Sequence, residues 1–259
     1  MRGELGLALA LLAGCAAAPQ SESPKTESGT IVGESTDPRN RARVRTELAS
    51  LYYARGNMNV ALDELRLAVA ADPSFATAHG MFGLVYMELR ENTLARSSFE
   101  RALALSPDDP DINHNFGWFL CQTGKEAESN EYFVRALRNP LYATPARTWS
   151  AAGSCALRSG NLQQADNSLQ RALAIDPGQP AALLQLAQLR YRQGNLDEAR
   201  KLVARHVKVA DATAESLWLA LRIERRLGQR DSALSYANQL RRRFPQSKEA
   251  QALQRGEYE

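Results

Sequence analysis

The stretch that decides the fold is NFGWFLCQTGKEAESNEYF, residues 115–133, because its aromatic and glycine positions recur in the chain. The Phe-Gly pair at 116–117 also stands 34 residues earlier, at 82–83, and Phe133 also has a phenylalanine 34 residues before it. A catalytic motif would not need such a copy. The stretch is therefore interpreted as part of a repeat.

Small residues mark the same period over most of the chain. They are Ala61, Ala95, Ser129, Ala165, Ala199 and Ala233, at steps of 34, 34, 36, 34 and 34. Prolines (Pro73, Pro107, Pro177, Pro245) and glycines (Gly56, Gly124, Gly160, Gly194, Gly228) follow the same period. The pattern resembles the tetratricopeptide repeat, a helix–turn–helix unit. The resemblance implies an all-α, right-handed solenoid of six units, at 42–75, 76–109, 110–145, 146–179, 180–213 and 214–247, followed by a C-terminal tail, 248–259.

Each repeated residue type has a physical task in such a unit. Gly83 lets two helices approach closely, and Phe99 fills the space between them. Gly124 ends a first helix, where glycine can adopt the left-handed conformation. Pro107 lacks an N–H and cannot continue a helix, so it starts the next connection. Helical spacing without strand-like alternation favours an all-α fold.

The N-terminus has the features of a lipoprotein signal peptide, assigned to residues 1–14. The apolar run at 5–13 is too short to span a bilayer, which needs about 20 residues. The tetrapeptide LAGC, residues 12–15, resembles a bacterial lipobox, which implies lipidation (palmitate among the acyl chains) at Cys15. Residues 15–41 then form the lipidated cysteine and a flexible tether. An ordinary N-terminus with a chance cysteine is the alternative.

Composition and motifs favour a protein that binds other proteins over an enzyme. The chain has 259 residues, 44% hydrophobic and 24% charged, with a net charge of +3, too small to indicate nucleic-acid binding. Cysteine and histidine spacings predict no metal site, and no cofactor is expected. Lys125 is followed by Glu126, which excludes a phosphate-binding loop. The late arginines, such as those at 241–243, form either a solvated face or a contact with an anionic surface.

The first helices of such an array line its concave face. Placing the units on that template points several large side chains to this face or its rim: Tyr53, Leu84, Met87, His114, Trp118, Leu157, Tyr191 and Trp218. The first five form the candidate groove, because apolar groups on a solvated face indicate a partner. Leu84 and Met87 could instead be core shared between units. Either Trp118 or Phe119 must face away from the core, and His114 is expected in a polar rim contact.

Cys121 and Cys155 are 34 residues apart and lie on first helices of neighbouring units. Adjacent helices pack at about 8–10 Å between axes, within range of a disulfide if the Cβ vectors converge. The alternative is a pair of buried free thiols.

The whole chain resembles the PilW/PilF family of type IV pilus biogenesis lipoproteins. The lipobox, the six repeats and residues 113–145 carry the resemblance, including two extra residues around 139–142; Cys121 and Cys155 also fit it. It implies a non-enzymatic outer-membrane pilotin, facing the periplasm, that binds the secretin subunit and promotes its localisation and multimerisation in pilus (fimbrium) assembly. Another periplasmic adaptor, for outer-membrane assembly or cell-wall hydrolases, and the repeat half of an enzyme complex are the alternatives.

Overall fold

The computed structural model describes residues 37–258, and within that range every regular element is a helix. The first helices of the six pairs are α1 (Pro38–Ala54), α3 (Ala76–Glu88), α5 (Pro110–Gln122), α7 (Pro145–Arg158), α9 (Pro180–Arg192) and α11 (Ala214–Arg226). The second helices are α2 (Met58–Ala71), α4 (Asn92–Leu105), α6 (Glu126–Arg138), α8 (Leu162–Ile175), α10 (Leu196–Val209) and α12 (Arg230–Arg243). A thirteenth helix, α13 (Lys248–Arg255), follows.

The helices pack as a curved array. Each first helix packs on the second helix of its own pair and also contacts the first helix of the next pair. In the described part of the chain, second helices of successive pairs lie further apart and meet only through long side chains, such as Arg96 of α4 and Glu128 of α6. First helices are thus closer together than second helices, so they line the concave side.

Glycines allow the close approach within each pair. A Cβ atom added to Gly83 would lie 2.7 Å from the ring of Phe99, and one added to Gly153 would lie 2.6 Å from Leu169. Both contacts are too short for real atoms, so no larger residue fits without movement of the packed side chain. The predicted role of Gly83 is confirmed.

The residues predicted as a C-terminal tail include α13, which packs on α11 and α12. Ser247 begins this helix by accepting a hydrogen bond from the Ala250 N–H, and Gly256 ends it in the left-handed conformation. Leu253 lies in an apolar cluster with Leu217 and Leu240. The last helix therefore covers apolar surface that a seventh repeat would cover.

Candidate functional site

Trp118 and Phe119 take opposite sides of α5, as the sequence required of the pair. Phe119 is 2% exposed and lies 5.7 Å from Phe99 and 6.1 Å from Phe116 between ring centroids. Trp118 is half-buried, with its inner edge against the cluster that contains Cys121. An indole held on one side and open on the other is suited to contact a partner.

The open side of Trp118 faces a cavity of about 290 Å³ between α5, α7 and α9. Arg147 and Gln185 line this cavity together with Trp118. Gln185 Oε1 is buried and has no hydrogen-bond partner among residues 37–258. Buried polar atoms are normally paired, so an unpaired oxygen is unusual in a wall of this kind. The cavity offers an aromatic wall and a cation.

Three of the predicted groove residues lie on α1 and α3 and are half-buried. Leu84 packs against the apolar clusters of both the first and second units, so it is shared core as well as surface. Met87 packs against the cluster of the second and third units, which contains Phe119, and Tyr53 packs on the cluster of the first and second units. Burial and the nearby carboxylate of Glu88 raise the pKa of Tyr53, which keeps its hydroxyl a neutral donor.

His114 lines the Trp118 cavity, but the expectation of a rim position for it is wrong. His114 is 3% exposed, and its Nδ1 lies 2.8 Å from the Thr148 hydroxyl. Thr148 donates to the Tyr142 hydroxyl at 3.0 Å, so its oxygen is left to accept from the imidazole N–H. Burial, assisted by Arg147, lowers the pKa of His114 to about 3, and the ring is neutral at pH 7. His114 therefore joins two units from the inside.

The two extra residues of the third unit explain this burial. The α6–α7 connection has six residues, 139–144, whereas the other connections between pairs have four. The longer loop carries Tyr142 inward to Thr148 and leaves Leu141 89% exposed.

Among the other side chains expected at the concave face or its rim, Tyr191 is buried instead. It is 8% exposed, because the guanidinium groups of Arg222 and Arg226 lie 4.6 and 4.9 Å from its ring centroid and cover it. Leu157 and Trp218 are half-buried, and Trp218 stacks on Tyr258. None of the three adds an open aromatic surface to the groove.

Cys121 and Cys155 form a disulfide in the structure, with their Cα atoms 5.8 Å apart. Both are buried, and the Ser129 hydroxyl lies 3.1 Å from Cys155 Sγ. The bond joins α5 to α7 directly beneath Trp118, so it fixes the wall of the cavity.

Sequence reasoning missed Arg147 and Gln185. Arg147 is exposed on α7, and its Nη2 lies 3.5 Å from Asn115 Oδ1. It occupies the repeat position of Asp111, 36 residues earlier, whose pKa is raised by burial and by Asp109. A comparison of this position between units would have shown the change from acid to base.

The signal peptide, Cys15 and most of the tether lie outside residues 37–258. Within the described residues, no helix has the length and apolar character needed to cross a bilayer. The same residues contain no group of three or more side chains arranged to hold a metal ion.

Comparison with known proteins supports both levels of the sequence resemblance. Family profiles of the tetratricopeptide repeat match residues 46–110, 156–222 and 216–247. The type IV pilus assembly protein PilF of Pseudomonas aeruginosa is 29% identical over 244 residues, which cover 94% of this chain and 93% of PilF.

Two solved structures match the fold of this chain over nearly their whole length. The crystal structure of PilW, described as a widely conserved type IV pilus biogenesis factor, is 32% identical with a TM-score of 0.74, covering 82% of this chain and 97% of PilW. The structure of Pseudomonas aeruginosa PilF is 28% identical with a TM-score of 0.76, covering 85% of this chain and 99% of PilF. The chain belongs to the PilF/PilW family. Its concave groove is thus part of a tetratricopeptide-repeat protein related to type IV pilus biogenesis factors.

Proposed function

We propose that this protein is an outer-membrane lipoprotein that binds the secretin subunit of the type IV pilus and promotes its localisation and multimerisation. Membership of the PilF/PilW family supports the pilus assignment, and the resemblance of the chain to that family's pilotins supports the secretin as partner. The repeat array acts as a binding scaffold, and the acyl chains on Cys15 hold it at the membrane facing the periplasm.

The observation that carries the binding site is the half-open face of Trp118. Aromatic anchors in a desolvated pocket typically dominate binding, and truncating one costs about 2 kcal/mol or more. An apolar side chain of the partner would cover the indole, while a carbonyl or carboxylate oxygen would accept from Arg147 in the same cavity. Tyr53, Leu84 and Met87 extend this surface along α1 and α3.

Replacing Trp118 by alanine tests the groove. We expect Trp118→Ala to weaken binding of the purified secretin by at least about 30-fold, as measured by calorimetry. Secretin multimers and surface pili should fall in parallel in cells.

Trp149→Ala is the matched control. Trp149 is also half-buried, but it lies against the core cluster of units four to six, with the Arg171 guanidinium 4.7 Å from its ring centroid. This variant should lose thermal stability and keep the wild-type affinity. A folded Trp118→Ala protein that binds secretin as the wild type does removes Trp118 from the site.

The anchor is tested separately. We expect Cys15→Ser to leave the repeats folded and to release the protein into the soluble periplasmic fraction, because one residue carries the acyl chains. Retention of the variant in membranes after a high-salt wash contradicts lipid anchoring through Cys15.

The second candidate is an adaptor for outer-membrane assembly or cell-wall hydrolases, which the same groove would serve. Affinity capture from solubilised envelopes, with wild type and Trp118→Ala compared by mass spectrometry, separates the two. The partner lost from the variant is the secretin under our proposal and a barrel-assembly component or hydrolase under the alternative.

A further inference from the structure

A second recess lies at the C-terminal end of the array, away from the groove. It is a cavity of about 550 Å³ between α11, α12 and α13. Leu221 and Leu253, both buried, contribute to its floor. Its volume is in the range of clefts that hold a ligand of several side chains.

Arginines line this cleft on more than one helix. Arg225 comes from the end of α11, and Arg230 and Arg241 come from the two ends of α12. No acidic side chain of the described residues lines it. The neighbouring carboxylates of Glu224 and Glu257 pair elsewhere, with Arg200 and Arg255. Within residues 37–258, the positive charge of these arginines is therefore not compensated inside the cleft.

The guanidinium groups of Arg230 and Arg241 are free to bind, whereas that of Arg225 already contacts an aromatic ring. Arg225 lies over the ring of Tyr258, at 3.3 Å from its centroid, which holds it at the cleft. Arg230 and Arg241 are exposed and make no ion pair or side-chain hydrogen bond with residues 37–258. A guanidinium binds a carboxylate through two parallel hydrogen bonds when one is presented to it.

The cleft is also apolar at its edge. Leu234 lines it and is 59% exposed, and Ala237 continues the apolar surface one helical turn further on. A small inorganic anion would neutralise the arginines and leave this surface in water. An occupant that also has an apolar side chain would gain about 25 cal/mol for each Å² that it covers.

We propose that this cleft docks an acidic, amphipathic peptide segment of a second protein. Two carboxylates of the segment pair with Arg230 and Arg241, and an apolar side chain between them covers Leu234 and the floor. A membrane surface is the less favoured occupant, because the apolar floor is recessed between helices, out of reach of a flat layer of headgroups. This site is independent of the secretin groove.

The probe for this site is a fluorescein-labelled peptide, GDLEELDG, followed by fluorescence anisotropy with the full mature protein. Its uncharged counterpart, GNLQQLNG, keeps the apolar residues. We expect the acidic peptide to bind at least 10-fold more tightly than its counterpart. Leu234→Ser should weaken binding several-fold, and Trp118→Ala should leave it unchanged.

Matched double variants distinguish binding in the cleft from non-specific attraction of the acidic peptide to positive charge. Arg230→Gln/Arg241→Gln should weaken binding at least 10-fold. Arg242→Gln/Arg243→Gln, which removes the same charge from residues of α12 that do not line the cleft, should change it less than twofold. Circular dichroism and melting temperature show that each variant is folded.

Several outcomes overturn the proposal. An equal loss of peptide affinity in both double variants indicates non-specific charge attraction. A lack of binding at 1 mM peptide excludes the site. Displacement of the peptide by millimolar phosphate, with no effect of Leu234→Ser, indicates a simple anion site. Binding of phosphatidylglycerol vesicles that depends on Arg230 and Arg241, without peptide binding, indicates a lipid contact.

Discussion

Arg90 stands where the other five helix pairs have glycine. At each of these turns the backbone is left-handed; φ is 61° at Arg90 and 79° at Gly124. A residue with a Cβ atom costs about 1–2 kcal/mol in this conformation, whereas glycine adopts it freely. The second unit therefore carries local strain that the others lack.

Exchanging residues at this position tests the strain. We expect Arg90→Gly to raise the free energy of unfolding by about 0.5–1 kcal/mol, because relief of strain exceeds the added chain entropy of glycine. The matched change, Gly124→Ala, should lower it by about 1 kcal/mol, since nothing lies within 4 Å of the added Cβ and the cost is conformational. Urea midpoints measure both, and a loss of stability in Arg90→Gly contradicts the prediction.

The buried imidazole of His114 makes stability depend on pH. Its pKa is lowered to about 3 in the folded protein and is near 6.5 in the unfolded chain. Between these two pH values the imidazole is protonated in the unfolded chain and neutral in the folded protein. Stability from this group is present above pH 6.5 and falls as pH decreases, by at most about 1.4 kcal/mol per unit.

His114→Gln, which does not titrate, should reduce this dependence. Melting temperature should fall further between pH 7 and pH 5 in the wild type than in His114→Gln. Parallel falls in the two proteins would show that His114 does not carry the effect.

At the scale of helices, the disulfide joins α5 to α7 across two units. In a Cys15→Ser background only Cys121 and Cys155 are left of the three cysteines. We expect no reactive thiol in this protein when it is unfolded without reductant. Reduction should lower its stability by about 3–4 kcal/mol in the chain-entropy account, for a separation of 34 residues. Two reactive thiols per chain would show that the pair is not bridged.

The helices could be predicted from the sequence because each repeated residue acts within its own pair. Gly83 against Phe99 and the left-handed Gly124 follow from local rules of packing and turn geometry. The position of His114 could not, because its burial depends on Thr148 of the next unit and on Tyr142, which a longer loop brings to Thr148. Helix α13 had a readable signal in Ser247 and Gly256, a cap residue before and a glycine after an eight-residue helix.

At the scale of the molecule, the curvature of the helix array separates the two proposed binding surfaces. The groove around Trp118 lies among first helices on the concave side, and the arginine cleft lies where α13 closes the array. The repeat could be recognised from its spacing, and the family from the resemblance carried by the lipobox, the six repeats and residues 113–145. The cavity at Trp118 could not, since it forms between helices far apart in the chain: Trp118 lies on α5 and Gln185 on α9.

The covalent link between α5 and α7 also determines how the array responds to tension. Stacked pairs contact only their neighbours, so a pull on the two ends would extend the chain pair by pair. The residues between Cys121 and Cys155 cannot extend while the bond is intact. For a separation of 34 residues, the oxidised chain reaches a contour length shorter by about 110–120 Å than the reduced chain. Reductant would thus act as a switch on how far a stretched molecule can reach.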